Sequence, residues 1–261
     1  MNGIRIHKTV VFLVIWVLMP FFTFSQGEWN NWHFGDSAAI TFNTSPPTFI
    51  SGSSMTCVLV DYPVSISDSN GNILFYGQAG KIYNRNNLLM PNGSGLYCHN
   101  GMQTLFAIKN PGSENLYYLF HIYNMLPTLF LGLYYSVLDM NLDGGNGDII
   151  PGTKNTPIPD MSDAMPMLTA TRHQNNKDVW LITKKFLTNQ YVAFLITDSG
   201  ISPVPIYSNS SIQPDTNYSN CNDEIHISLD GTLLISHHDP TVTPCPELCS
   251  FNTLTGSITP L

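Results

Sequence analysis

The residues best suited to chemistry gather near the C-terminal end: His226, His237, His238 and Asp239, with Asp223 and Glu224 nearby. Imidazole and carboxylate are what a catalytic Zn²⁺ or Fe²⁺ takes as ligands. Strand alternation works against one shared site. It turns His226 away from Ile225 and Ile227, onto a polar or solvated face, and it points the adjacent His237 and His238 to opposite sides. These read as loop or strand-edge histidines, with no metal assigned. Asp139, Asp143 and Asp148, around Gly144–Gly147, offer the oxygens of a calcium loop. Their spacing is not that of an EF-hand, and Gly-Asn-Gly is equally what a tight hairpin uses, so calcium stays open as an alternative. Trp29, Trp32 and Trp180 can stack on sugar rings, but packing between sheets is the stronger expectation. No nucleophile elbow, phosphate loop or HExxH helix occurs, so no catalytic or cofactor-binding residue is assigned.

Such residues need elements to hold them, and the composition says which kind. Only 11% of the 261 residues are charged, against roughly 25% in an average soluble domain, whereas Gly (19) and Pro (18) are plentiful. That excludes a coiled coil or helical bundle. The 43% hydrophobic content argues against disorder. The net charge is −8, and the 10 Lys and Arg do not cluster along the chain, so a nucleic-acid partner is not expected.

One unit recurs: a short strand, a Gly/Asn/Asp turn, a strongly apolar strand, then a third and often a fourth strand. Its copies are Val64–Ser67 with Ile73–Tyr76 and Lys81–Asn84, Leu105–Ile108 with Leu116–Phe120 and Leu133–Leu138, Leu168–Thr171 with Val179–Ile182 and Tyr191–Ile196, and Ile225–Ser228 with Leu233–Ser236. Trp29 to Phe42 reads as an incomplete first unit. Asn-Gly and Asp-Gly supply the positive φ of hairpin turns. A second strand apolar on both faces belongs between two neighbouring sheets. Four-stranded units at this interval predict an all-β chain of β-propeller type, with about five blades or a partial propeller, over residues 26–261.

Residues 1–25 read as a signal peptide: Arg5 and Lys8, an apolar stretch from Val10 to Phe24 interrupted by Pro20, and small residues before Gln26. The expected product is exported, with no membrane span after processing, and is periplasmic, secreted or at the cell surface. The five cysteines, Cys57, Cys98, Cys221, Cys245 and Cys249, are an odd number in a compartment that permits disulfides. Cys245 and Cys249 read as one local bridge or as two buried thiols.

Gly27-Glu28-Trp29-Asn30-Asn31-Trp32-His33-Phe34-Gly35, Ile66 to Tyr76, Tyr83-Asn84-Arg85-Asn86 and Tyr134 to Met140 with Gly144-Gly145-Asn146-Gly147-Asp148 carry more specific wording. Together they resemble the N-terminal propeller region of large Bacteroidetes gliding-motility-associated proteins, cargo of type IX secretion. The resemblance implies a non-catalytic binding or scaffolding module of the envelope, with a protein or glycan ligand and no agreed active site. That family's propellers usually run to more blades, so an incomplete fragment associating through exposed edge strands is one alternative. A secreted propeller hydrolase or lyase acting on glycans is another. An enzyme predicts carboxylates or histidines converging near the axis, whereas a binding module predicts aromatic and Asn-rich loops on one face.

Overall fold

The computed structural model describes residues 27–55, 63–98, 103–125, 129–212, 224–238 and 245–261. The expected signal segment lies outside these, as do Cys57, Cys221, Asp223 and Asp239. Among the described residues no helix is long and apolar enough to cross a membrane.

The fold is all-β, made of five successive antiparallel sheets. The first holds β1 (Asn31–His33), β2 (Ala38–Thr41) and β3 (Thr48–Ser51); the second holds β4 (Val64–Ser67), β5 (Ile73–Gln78) and β6 (Lys81–Asn84). The third contains β7 (Leu105–Lys109), β8 (Leu116–Met125), β9 (Leu129–Asp139), β10 (Asp148–Ile149) and β11 (Thr156–Pro157). The fourth contains β12 (Thr169–Arg172), β13 (Val179–Lys185), β14 (Gln190–Thr197), β15 (Gly200–Ile201) and β16 (Ile206–Asn209). The fifth runs β17 (Glu224–Ile227), β18 (Leu233–His238), β19 (Cys245–Phe251) and β20 (Ile258–Pro260).

Strand number departs from the expected four. The described residues form three strands in each of the first two sheets. In the third and fourth sheets the last strand is split: β10 and β11 both pair with β9, and β15 and β16 both pair with β14. Proline explains the splitting. Pro151 opens a 3-10 turn between β10 and β11, and Pro203 and Pro205 fall between β15 and β16. Without an N–H, proline cannot donate to a ladder, which weakens pairing where it falls.

The Asn and Asp richness is turn chemistry. Asp68 Oδ1 accepts the backbone N–H of Asn70 and of Asn72, and Asp230 Oδ1 accepts that of Thr232. Asn110, Asn175 and Asn252 answer backbone N–H groups two or three residues on in the same way. Each side chain stands in for a missing backbone acceptor, so the hairpins close without helices or long loops.

The sheets lie face on face. One apolar cluster between the second and third sheets includes Phe75, Ile82, Leu119 and Leu138. A second, between the third and fourth, includes Phe120, Ile122, Leu181 and Val192. A third, between the fourth and fifth, includes Trp180, Ile182, Ile225 and Leu234. Alternation along β8 and β13 sends neighbouring residues into different clusters, which is why both strands are apolar on both faces. The first sheet rests on the second through Asn31, His33 and Ala39; the His33 ring stacks on Tyr76 with centroids 4.1 Å apart.

Of the two readings of Cys245 and Cys249, the local bridge is overturned. Cys245 and Cys249 lie on a single extended strand, so their Cα atoms are about 13 Å apart. A disulfide needs less than about 7 Å. Cys249 is instead a free buried thiol directed at the Tyr191 hydroxyl, and burial pushes its pKa up to about 11.

Candidate functional site

The first strands of the sheets are neighbours: β1 lies beside β4, β4 beside β7, and β12 beside β17. At one end of β4, β7 and β12 they leave a cavity of about 590 Å³. The turn at Gly27–Trp29 forms one wall with Glu28 and Trp29, and the β7–β8 turn supplies Lys109, Asn110 and Glu114. The β12–β13 hairpin contributes Thr171, Arg172, Asn176 and Lys177. An adjoining cavity of about 520 Å³ shares Glu28, Ser67, Lys109, Glu114 and Tyr117, and reaches Arg85 and Met140. The two make one groove, crossed by the Lys109–Glu114 ion pair at 2.7 Å.

The groove gathers charge the sequence had scattered. Of the 10 Lys and Arg, Arg5 and Lys8 precede residue 26, and four of the remaining eight (Arg85, Lys109, Arg172 and Lys177) line this groove. Lys177 is held by Asp198 at 2.6 Å, and Arg85 donates to the Gly145 carbonyl oxygen at 3.2 Å. The hydrogen bond and charge of Lys109 keep the Glu114 carboxyl below the ordinary range. Trp29 is exposed, and its carbonyl oxygen accepts the Trp32 indole N–H at 3.0 Å. Among the described residues no histidine lines either cavity.

The other sequence candidates fall elsewhere. His226 is exposed on the outer face of the fifth sheet, beside Glu224 at 3.2 Å, while Ile225 is buried, as alternation predicts. His237 pairs in register with Glu224, and His238 with Cys245. Among the described residues no three metal-ligating groups converge. Two of the three aspartate carboxylates, those of Asp139 and Asp148, are answered by protein donors. Asp139 accepts both N–H groups offered by Asn141, and Asp148 accepts the backbone and side-chain amides of Asn92 at 2.8 and 2.7 Å. Asp143 has φ +51° in the turn, where its carbonyl oxygen accepts from Asn146. Trp180 is buried between the fourth and fifth sheets with its indole N–H on the Thr253 carbonyl oxygen. Only Trp29 lines the groove.

Sequence reasoning missed a buried polar cluster at the opposite end of the fourth and fifth sheets. Glu247 accepts hydrogen bonds from Tyr191, Ser210 and Ser211 at 2.5–2.7 Å, and Lys184 lies 3.9 Å away, donating to Ser210 at 2.9 Å. Burial works to raise the Glu247 pKa, but the hydrogen bonds from Ser210, Tyr191 and Ser211 together hold it below its ordinary value. The Tyr191 pKa is pushed well up, first by burial and then by its bond to Glu247. A Ser–Lys contact resembles an activated nucleophile. Here, however, Lys184, Ser210 and Glu247 are all buried and Glu247 is saturated with donors, so the cluster interlocks two sheets. No signal could have found it, because Lys184 and Glu247 are far apart in the chain.

No known protein family matches this chain, and no curated protein matches it.

Proposed function

We propose that the protein is an exported, non-catalytic binding module, built as an open β-propeller, that holds an extended acidic saccharide in the groove at the ends of its first strands. The observation that carries this reading is the groove itself. It draws together half of the basic side chains beyond residue 26, and three of them, Lys109, Arg172 and Lys177, line the same cavity as the exposed Trp29. Aromatic faces stack on sugar rings, and guanidinium groups pair bidentately with carboxylate or sulfate. The propeller reading is supported by five successive meander sheets, their face-to-face stacking and the convergence of their first strands. Export, an envelope location and kinship with the gliding-motility proteins belong to the same reading, carried by the sequence motifs.

A glycan hydrolase would need a carboxyl group held protonated as general acid. Glu114 has the opposite bias, because Lys109 stabilises its ionised form. Calorimetric titration with uronate-containing and neutral oligosaccharides of equal length tests the reading. The acidic series binds with an affinity that falls as salt rises, and Trp29→Ala and Arg172→Ala each weaken it about tenfold, roughly 1.4 kcal/mol. Equal affinity for the neutral series overturns the saccharide's charge, and release of shortened products overturns the non-catalytic assignment.

A further inference from the structure

The stacked sheets leave two faces over. Each internal sheet buries one face against the sheet before it and the other against the sheet after. The first sheet covers only its Asn31–His33–Ala39 face. On the other, Trp32, Ile40 and Phe49 stand in direct cross-strand register, with Trp32 at 48% and Phe49 at 86% exposure. Phe42 extends this row, its ring 4.8 Å from that of Trp32. The fifth sheet covers its Ile225–Leu234–Cys249 face. On its other face Ile235 and Leu248 are in register at 42% and 46% exposure, with Leu233 beside them and the Glu224–His226 pair along the β17 edge. Each face thus exposes a cluster of large apolar side chains, bordered on the fifth sheet by the Glu224–His226 pair. A patch of this kind on a soluble surface marks an interaction site.

We propose that the chain associates head to tail with a second copy of itself, the outer face of the first sheet in one copy packing on the outer face of the fifth sheet in the next. Direction selects this occupant. In every internal interface the trailing face of one sheet meets the leading face of its successor. Among the described residues nothing packs on the trailing face of the fifth sheet or the leading face of the first, so contact between them continues the series. First-on-first or fifth-on-fifth pairing would reverse it. Chemistry agrees: Trp32 and Phe49 on Ile235 and Leu248 repeats the mixture of aromatic and branched aliphatic side chains between the fourth and fifth sheets, where Trp180 and Phe251 meet Ile182, Ile225 and Leu234. The contact is heterologous, so it closes into a ring or propagates according to its rotation. This proposal stands independently of the ligand in the groove.

Sedimentation of the full chain over a micromolar concentration range, with Phe49→Asp and Leu248→Asp variants, provides the test. Both residues are exposed and lie outside the apolar clusters, and circular dichroism checks that each variant is folded. Wild type sediments at twice the monomer mass or more, and each variant alone at the monomer mass. An equimolar mixture of the two variants regains a species of twice the monomer mass, because it contains one intact face of each kind. A wild type that stays monomeric throughout overturns the proposal. So does a variant that still associates alone, or a mixture that stays monomeric while wild type associates.

Discussion

Glu247 is where the fold places the most electrostatic weight on one side chain. Its four hydrogen bonds and the nearby Lys184 ammonium keep a carboxylate ionised in a buried position. Replacing it with alanine removes the carboxylate beside the buried Lys184 ammonium and the acceptor of four hydrogen bonds, and breaking such a buried pair costs about 3–5 kcal/mol. Urea unfolding of Glu247→Ala should show that loss, while Glu114→Ala, removing an exposed pair, should change stability by less than about 1 kcal/mol. Two buried histidines give a separate signature. Burial pushes His33 and His121 down to about 4 from their ordinary 6.5. Both remain neutral in the folded chain while the unfolded chain takes up protons. Their contribution to stability is therefore complete above pH 6.5 and is lost as the pH falls toward about 4. A thermal midpoint that drops across this window, less steeply in His121→Gln, is the expected result. At this scale little was legible in advance. Alternation correctly set His226 opposite Ile225, but the His121 contacts to the Tyr97 carbonyl oxygen and Ser136, like the pairing of Lys184 with Glu247, depend on chain crossings that no local pattern encodes.

The strands themselves were far more legible, because turn chemistry and alternation are local. Asp68 to Gly71 and Asp230–Gly231 mark hairpins in the sequence and form them in the fold. What local pattern hid was strand length and division. β8 and β9 extend well past their expected ends, toward Met125 and Leu129, and the prolines split the fourth strands. Gly132 shows how that long hairpin is accommodated. It has φ +93° close to a register shift at Tyr123/Asn124, and a Cβ there would run into the Met161 carbonyl oxygen, which accepts the Leu133 N–H. Gly132→Ala therefore meets both a strained backbone and a collision, and should lower stability by about 1–3 kcal/mol in chemical denaturation. Gly144→Ala offers the control: that Cβ meets open space, so only the positive φ is penalised.

Among the described residues, most packing runs within a sheet or between sheets that follow one another in the chain. Gln103, just before β7, reaches further. Its amide oxygen accepts the Ile225 N–H at 3.0 Å and its amide nitrogen donates to the Ile225 carbonyl oxygen at 3.2 Å, joining positions 122 residues apart. One side chain thus occupies both backbone hydrogen-bonding groups of Ile225, acting as a single-residue substitute for a neighbouring strand. A tie this distant forms late, since the loop it closes must first be drawn together. Gln103→Leu should accordingly accelerate unfolding in stopped-flow experiments and leave the refolding rate nearly unchanged. Gln103 would then act as a latch, set once the last sheet has arrived, that governs how long the assembled protein survives rather than how fast it is made.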